Sequence, residues 1–83
     1  FRSRRRNDLA RLRTAYTAGD FATVQMLGHR LKGHAGSYGL DALGEIGHEL
    51  ERAGAQHEGA SIQPLLDRME RLLADGGAGE TSA

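Results

Sequence analysis

The sequence predicts an all-α domain, folded as an antiparallel up-down four-helix bundle, and three observations support this prediction. Apolar residues recur at intervals of three and four through most of the 83 residues, which is the spacing of one face of a helix. The alternating runs that would indicate strands are too short to compete with this pattern. Glycine and aspartate divide the pattern into four segments joined by short links, and short links favour antiparallel neighbours.

The first two segments are expected to form a helical hairpin. The first helix is predicted from about Arg4 to Ala18, Gly19 is expected to end it, and Asp20 to cap the next. The second helix is predicted from Phe21 to about Tyr38, with Gly39 ending it. The expected buried stripes of the two helices are Leu9, Leu12, Ala15 and Tyr16, then Val24, Leu27, Leu31, Ala35 and Tyr38.

The third helix is predicted from Ala42 to about Ala53, with Asp41 as its cap. Its apolar face is expected at Leu43, Ile46, Gly47 and Leu50. Gly44 and Gly47 each lower helix stability by about 1 kcal/mol relative to alanine. We therefore expect another helix to approach this backbone closely.

Residues 54–60 are predicted to form a loop before a fourth helix. Ser61 is expected to cap that helix, and Pro64 is tolerated because the first turn leaves its missing N–H without an intrahelical partner. The expected buried face is Leu65, Leu66, Met69, Leu72 and Leu73. The bundle is predicted to cover residues 1–74, and residues 75–83 are predicted to be a disordered, glycine-rich tail or linker.

Composition excludes several classes of function. The chain has no cysteine, so it has no disulfide, thiolate zinc site or thiol nucleophile, and no apolar run approaches the length of a membrane span. The net charge is zero, although six of the eleven basic residues fall in the first thirteen positions. Without interleaved aromatic residues, these arginines are expected to form the solvated face of a helix rather than a patch that binds nucleic acid or lipid headgroups. A glycine-rich phosphate loop and paired carboxylates on one face, both typical of enzymes, are absent from the sequence.

The most informative segment runs from His29 to Gly39. At about 100° per residue, His29 lies opposite the apolar stripe of the second helix and should point to solvent. Gly33 and Gly36 lie on the same side and remove side-chain bulk around the imidazole, at about 1 kcal/mol of helix propensity each. Lys32, one turn further, can place a point charge on an anion bound at the ring. This combination predicts an exposed histidine that acts as a nucleophile toward an anionic group.

The segment resembles the histidine phosphotransfer (HPt) domains of phosphorelays. The similarity rests on the His-x-x-Lys-Gly core of His29, Lys32 and Gly33, followed by Gly39 as a structural residue that closes the helix. The links at residues 18–21, Leu43 and Leu50-Glu51 are also similar to those of the family, over about residues 5 to 74. The resemblance implies that His29 accepts a phosphoryl group from a receiver-domain aspartyl phosphate and passes it to another receiver, while Lys32 stabilises that group. The expected docking face for the receiver is Gln25, Met26, Gly33 and Gly36.

The same resemblance sets expectations about cofactors and partners. The domain should need no cofactor of its own, because the receiver supplies the Mg²⁺, and it should have no independent catalytic activity. We expect response-regulator receiver domains as partners, no nucleic acid, no direct membrane insertion, and a monomer in isolation. The expected location is the cytoplasm, either as a free protein or as the cytoplasmic domain of a membrane-bound hybrid sensor kinase.

One alternative remains open from the residues themselves. The domain could be an interaction module that docks a receiver or another signalling protein through the second helix without being phosphorylated. A metal site is not expected, because His29 and His34 point to different faces and the Glu45-x-x-His48 pair lacks further carboxylate ligands. His34 is expected at the edge of the bundle, and His48 and His57 at the surface or in a loop.

Overall fold

Four α-helices make up the fold over the part of the chain that the structure describes. The structure, a computed structural model, describes residues 2–37 and 41–76, with the side chains of residues 4–33 and 42–74. The helices are α1 (Arg2–Ala18), α2 (Phe21–Ser37), α3 (Asp41–Ala55) and α4 (Gly59–Arg71). Each helix packs on its neighbours along the chain, and α1 also packs on α4, so the four close into a bundle. The predicted all-α four-helix fold is confirmed.

A π-helical turn, Leu72–Gly76, continues the chain from the end of α4. The predicted tail starts at residue 75, so its first two residues belong to this turn. Residues 77–83 of the predicted tail lie outside the described part of the chain. Within the ranges 2–37 and 41–76, no helix combines the length and the apolar character needed to cross a bilayer.

The turn between α1 and α2 forms as predicted. Gly19 has a φ of +71°, in the left-handed region. Its N–H donates to the Tyr16 carbonyl (3.1 Å), and the Asp20 N–H donates to the Ala15 carbonyl (2.8 Å), which together make a Schellman motif. Asp20 then caps α2, accepting from the Thr23 N–H (3.2 Å) and the Thr23 hydroxyl (2.6 Å). The hydrogen bond from the Thr23 hydroxyl is the main cause that holds the pKa of the Asp20 carboxyl below its ordinary value, and the hydrogen bond from the Thr23 N–H adds to this effect.

The turn between α3 and α4 has the same hydrogen-bond pattern, with a histidine in the position that glycine occupies in the first turn. The His57 N–H donates to the Gly54 carbonyl (3.2 Å) and the Glu58 N–H to the Ala53 carbonyl (2.9 Å), while His57 itself has a φ of 56°. Histidine tolerates this left-handed conformation better than most side chains. Its ring stacks on that of Phe21, with centroids 4.7 Å apart and planes 12° from parallel. The two turns therefore meet at one end of the bundle.

The prediction of a loop over residues 54–60 and of Ser61 as a cap is wrong. Only residues 56–58 separate α3 from α4, and Glu58 occupies the cap position without a side-chain cap. The stop was missed because the left-handed residue is a histidine rather than a glycine. As a consequence, Pro64 lies inside α4 rather than in its first turn, and the carbonyl four residues earlier loses a helical hydrogen bond. Pro64 is exposed, so water can solvate that carbonyl.

The core lies between the four helices and matches the predicted stripes. Ala53 and Ile62 are also buried, although the prediction did not include them. The side chains of Phe1, Ala35 and Tyr38 lie outside the described residues. The buried apolar residues are Leu12, Ala15, Val24, Leu27, Leu31, Leu43, Ile46, Leu50, Ala53, Ile62, Leu65, Leu66, Met69 and Leu73, with Leu9, Tyr16, Phe21 and Leu72 packed against them.

The basic N-terminal segment is only partly a solvated face, which corrects the prediction. Arg5 is 1% exposed, and its guanidinium lies 3.3 Å from the Asp8 carboxylate one turn later. Burial of a guanidinium requires such a partner, because an isolated buried charge is strongly unfavourable. Arg13 forms ion pairs with Asp67 (3.4 Å) and Glu70, which tie α1 to α4.

The closest contact in the bundle is that between α2 and α3, along a seam of three glycines: Gly28, Gly47 and Gly54. A Cβ at Gly28 would lie 2.5 Å from the backbone nitrogen of Glu51 and 2.8 Å from the Gly47 carbonyl oxygen. A Cβ at Gly47 or Gly54 would lie 2.6 or 2.7 Å from a backbone nitrogen of α2. These distances leave no room for a side chain, which confirms the close approach predicted for Gly47. Gly44 is half-buried.

Candidate functional site

His29 stands near the middle of α2, on the side away from the core. Its side chain is 67% exposed, whereas Val24, Leu27 and Leu31 on the opposite side of the helix are buried. The exposure that the helical wheel predicts is therefore present. An exposed imidazole is accessible to a reactant that approaches from solvent.

One nitrogen of the His29 ring is held by a carboxylate. Nδ1 lies 2.9 Å from Oε2 of Glu51, on α3. An ionised carboxylate only accepts hydrogen bonds, so the ring must carry its proton on Nδ1 and donate it to Glu51. In the neutral ring the lone pair is then on Nε2, the ring nitrogen that is available to act as a nucleophile.

Lys32 contacts the other oxygen of the same carboxylate. Its Nζ lies 2.9 Å from Oε1 of Glu51, and its side chain is 41% exposed. The hydrogen bond from Lys32 is the main cause that holds the pKa of the Glu51 carboxyl below its ordinary value. Desolvation of the carboxyl raises its pKa and so opposes this effect, whereas the hydrogen bond with His29 lowers the pKa further. Glu51 is therefore the fixed anion between the two predicted site residues.

Glu51 is the residue of this candidate site that sequence reasoning missed. It is 22 positions from His29 and on another helix, so a wheel drawn for α2 alone could not include it. The seam brings it into place, because the Glu51 backbone lies against Gly28, the residue before His29. Gly28 and Gly47 together are the sequence signal that could have indicated this pairing.

The predicted docking face is exposed where the structure describes it. Gln25 and Gly33 are exposed. Met26 is 45% exposed, whereas the other large apolar side chains described in residues 4–33 and 42–74 are buried or half-buried. A Cβ at Gly33 would find no atom within 4 Å beyond its own helix backbone and its chain neighbours. The surroundings of Gly36, and Gly39 itself, lie outside the described residues.

The other histidines do not join this site where they are described. His48 and His57 are exposed, and the side chain of His34 lies outside the described residues. Among residues 2–37 and 41–76, no group of three or more histidine, aspartate or glutamate side chains could hold a metal ion.

The His29 ring lies on an open surface. A groove of about 420 Å³ runs between α3 and α4 beside Pro64, and one of about 360 Å³ runs between α1 and α2 beside Thr14. His29 lines neither groove. A reactant at His29 is therefore accommodated by an exposed helix face and not by either groove, which suits a group presented by another protein.

Comparison with known proteins gives one result. A family model described as the Hpt domain matches residues 1–75. No curated protein and no solved structure shows significant similarity to the chain.

Proposed function

The chain belongs to the Hpt domain family, and we propose that it serves as a phosphorelay intermediate with His29 as the phosphoacceptor. Hpt domains carry out histidine phosphotransfer in two-component signalling and interact with receiver domains. The observation that carries the proposal is the exposed His29 ring, with Nδ1 bound to Glu51 and Nε2 left as the nucleophile.

In the proposed reaction, the lone pair of Nε2 attacks the phosphorus of an aspartyl phosphate on a receiver domain. The N–P bond forms while the bond between phosphorus and the aspartyl oxygen breaks, and its electrons leave with the receiver carboxylate. The proton on Nδ1 stays in place, so the phosphorylated ring carries a positive charge. Glu51 faces that charge at hydrogen-bond distance. The reverse sequence passes the phosphoryl group to the aspartate of a second receiver.

Lys32 contributes positive charge beside the reacting nitrogen. Its side chain is partly exposed and flexible, and an ammonium group pairs with phosphoryl oxygens as a point charge. Charge of this kind lowers the barrier to phosphoryl transfer because it offsets the negative charge on the transferring oxygens.

The receiver is expected to provide the remaining components. A Mg²⁺ bound by the receiver would neutralise charge on the transferring group. This chain provides the nucleophile and a docking face at Gln25, Met26 and Gly33, where the small residue allows the receiver aspartate to approach the ring. Near-attack geometry needs the reacting atoms within about 3–3.5 Å.

The test is the replacement of the acceptor. His29→Gln should fold like the parent protein, because an exposed side chain contributes little to stability, and should gain no acid-labile phosphate from a phosphorylated receiver domain. His48→Gln makes the same change at an exposed position of α3 and should be phosphorylated normally. Phosphate on His29→Gln at the parent rate would refute the assignment.

Lys32→Ala measures the contribution of the charge. Transfer should slow by about 10-fold or more, equivalent to about 1.4 kcal/mol of transition-state stabilisation, with the helices intact. If the parent protein binds a receiver but never gains phosphate on His29, the alternative of a pure interaction module is supported.

A further inference from the structure

The Glu51 carboxylate is divided between two partners. Oε2 accepts from the His29 Nδ1–H and Oε1 from the Lys32 ammonium, each at 2.9 Å. Glu51 is only partly exposed, with 26% of its side chain accessible. Each partner therefore holds one oxygen of a carboxylate whose backbone is fixed against Gly28.

The cation in this arrangement is the single lysine of a chain that also has ten arginines. An arginine fork matches a carboxylate through two parallel hydrogen bonds and would occupy both oxygens. An ammonium group needs only one of them, and its flexible stem allows it to exchange partners. Lysine at this position keeps the second oxygen available for the imidazole.

Phosphorylation changes the charge on both sides of Glu51. The N–P bond at Nε2 places anionic oxygens beside the ring and leaves a positive charge on the ring itself, since Nδ1 keeps its proton. Lys32, one helical turn from His29, then has a stronger anionic partner than a carboxylate that is shared. The ring, now positive, gains from undivided contact with Glu51.

We propose that phosphorylation of His29 moves Lys32 from Glu51 to the phosphoryl oxygens, so that Glu51 is left to the phosphorylated ring alone. This inference rests on the proposed function, and it makes Glu51 a positioning residue with two roles. Before transfer Glu51 keeps the ammonium of Lys32 beside the acceptor, and after transfer it stabilises the ring. When the phosphoryl group leaves, Lys32 returns to Oε1. The low pKa of Glu51 is consistent with the state before transfer, in which Lys32 is its main partner.

The exchange can be observed directly, because a single lysine gives a single Nζ signal in a ¹⁵N NMR spectrum. His29 is phosphorylated with phosphoramidate or with a phosphorylated receiver domain, and phosphohistidine is verified by ³¹P NMR. The Nζ signal of Lys32 and the carboxyl ¹³C signal of Glu51 should then both shift, and the Nδ1 signal of His29 should remain that of a protonated nitrogen. A phosphorylated protein with unchanged Lys32 and Glu51 signals overturns the exchange alone. Absence of phosphohistidine with both donors refutes the proposed function and the exchange with it.

A variant that preserves the charge gives a second test. Lys32→Arg should slow transfer by about 10-fold, close to the effect of removing the charge, because the guanidinium competes for both oxygens of Glu51. The ¹⁵N spectrum should show that the Nδ1–H tautomer of His29 is less populated. Arg71→Lys, the reverse exchange at an exposed position of α4, should have neither effect. Transfer at the parent rate and an unchanged His29 spectrum in Lys32→Arg would overturn the shared role of Glu51.

Discussion

Gly28 and Gly33 lie on the same helix, five positions apart, and their surroundings are opposite. Gly28 is buried in the seam, where a Cβ would lie 2.5 Å from a backbone nitrogen of α3. Gly33 is exposed, and a Cβ there would find open space. Both residues weaken α2 as an isolated helix. The comparison shows two different uses of glycine in this helix: Gly28 allows α3 to approach, and Gly33 leaves the surface beside His29 open.

The largest expected effect is on stability, when one methyl group is added at Gly28 in the seam and, for comparison, at Gly33 on the exposed face. Gly28→Ala should lower the free energy of unfolding by about 2–3 kcal/mol, because the clash is with backbone and no side chain can move to relieve it. Gly33→Ala should raise it by up to about 1 kcal/mol through better helix propensity. Urea unfolding of the two variants measures both changes. Equal stabilities would mean that α2 and α3 are farther apart than the seam indicates.

A larger side chain at Gly33 tests accessibility apart from stability. Gly33→Gln should raise the free energy of unfolding by roughly 0.5–1 kcal/mol and yet slow transfer from a receiver by about 10-fold. Both values come from one purified variant, by urea unfolding and by the rate of phosphohistidine formation. Small phosphodonors should be affected less, since they need no docking surface. Normal transfer from the receiver would place the docking interface elsewhere on the domain.

A smaller effect is expected at Met26, on the exposed side of α2. Met26→Ala should weaken receiver binding by roughly 1 kcal/mol, or about 5-fold, because it removes an apolar contact at the edge of the acceptor site. Stability should hardly change, since the side chain is 45% exposed. Gln63→Ala, at an exposed position of α4, is the matched control. Titration with a receiver domain measures both, and equal affinities would remove Met26 from the docking face.

The smallest effect concerns the start of α2, far from either glycine. Because the pKa of Asp20 is lowered on folding, its cap stabilises the protein fully above the ordinary pKa of 3.8 and loses this contribution as the pH falls through the lower folded value. Melting temperatures of the parent and of Asp20→Asn should therefore converge as the pH falls through that range. Phosphotransfer at neutral pH should be the same in both proteins. Slower transfer in Asp20→Asn would mean that the transfer rate depends on the stability of the whole of α2. The different surroundings of Gly28 and Gly33 would then not be what sets this rate.

Much of this arrangement could be predicted from residues close together in sequence. The exposure of His29 follows from its angle to Leu27 and Leu31, and the stop at Gly19 follows from a glycine before a capping aspartate. Both depend on helical periodicity or on local hydrogen bonds, which a single segment contains. The four-helix fold is the sum of such local patterns.

The missed features depend on contacts between segments. Glu51 reaches His29 only through the seam between α2 and α3. His57 ends α3 in a conformation usual for glycine, beside the ring of Phe21, a residue of another helix. Periodicity cannot reveal a partner that lies across the bundle.

The seam also limits how far α2 can slide along α3. One residue of an α-helix advances about 1.5 Å along its axis, so a slip of α2 past α3 by even a single residue would take Nδ1 of His29 out of hydrogen-bond range of Glu51. The glycine contacts at Gly28, Gly47 and Gly54 oppose such a slip, since each places one backbone directly against another. We therefore expect the bond between His29 and Glu51 to persist in partially unfolded forms that have lost α1 and to disappear only when α2 and α3 separate.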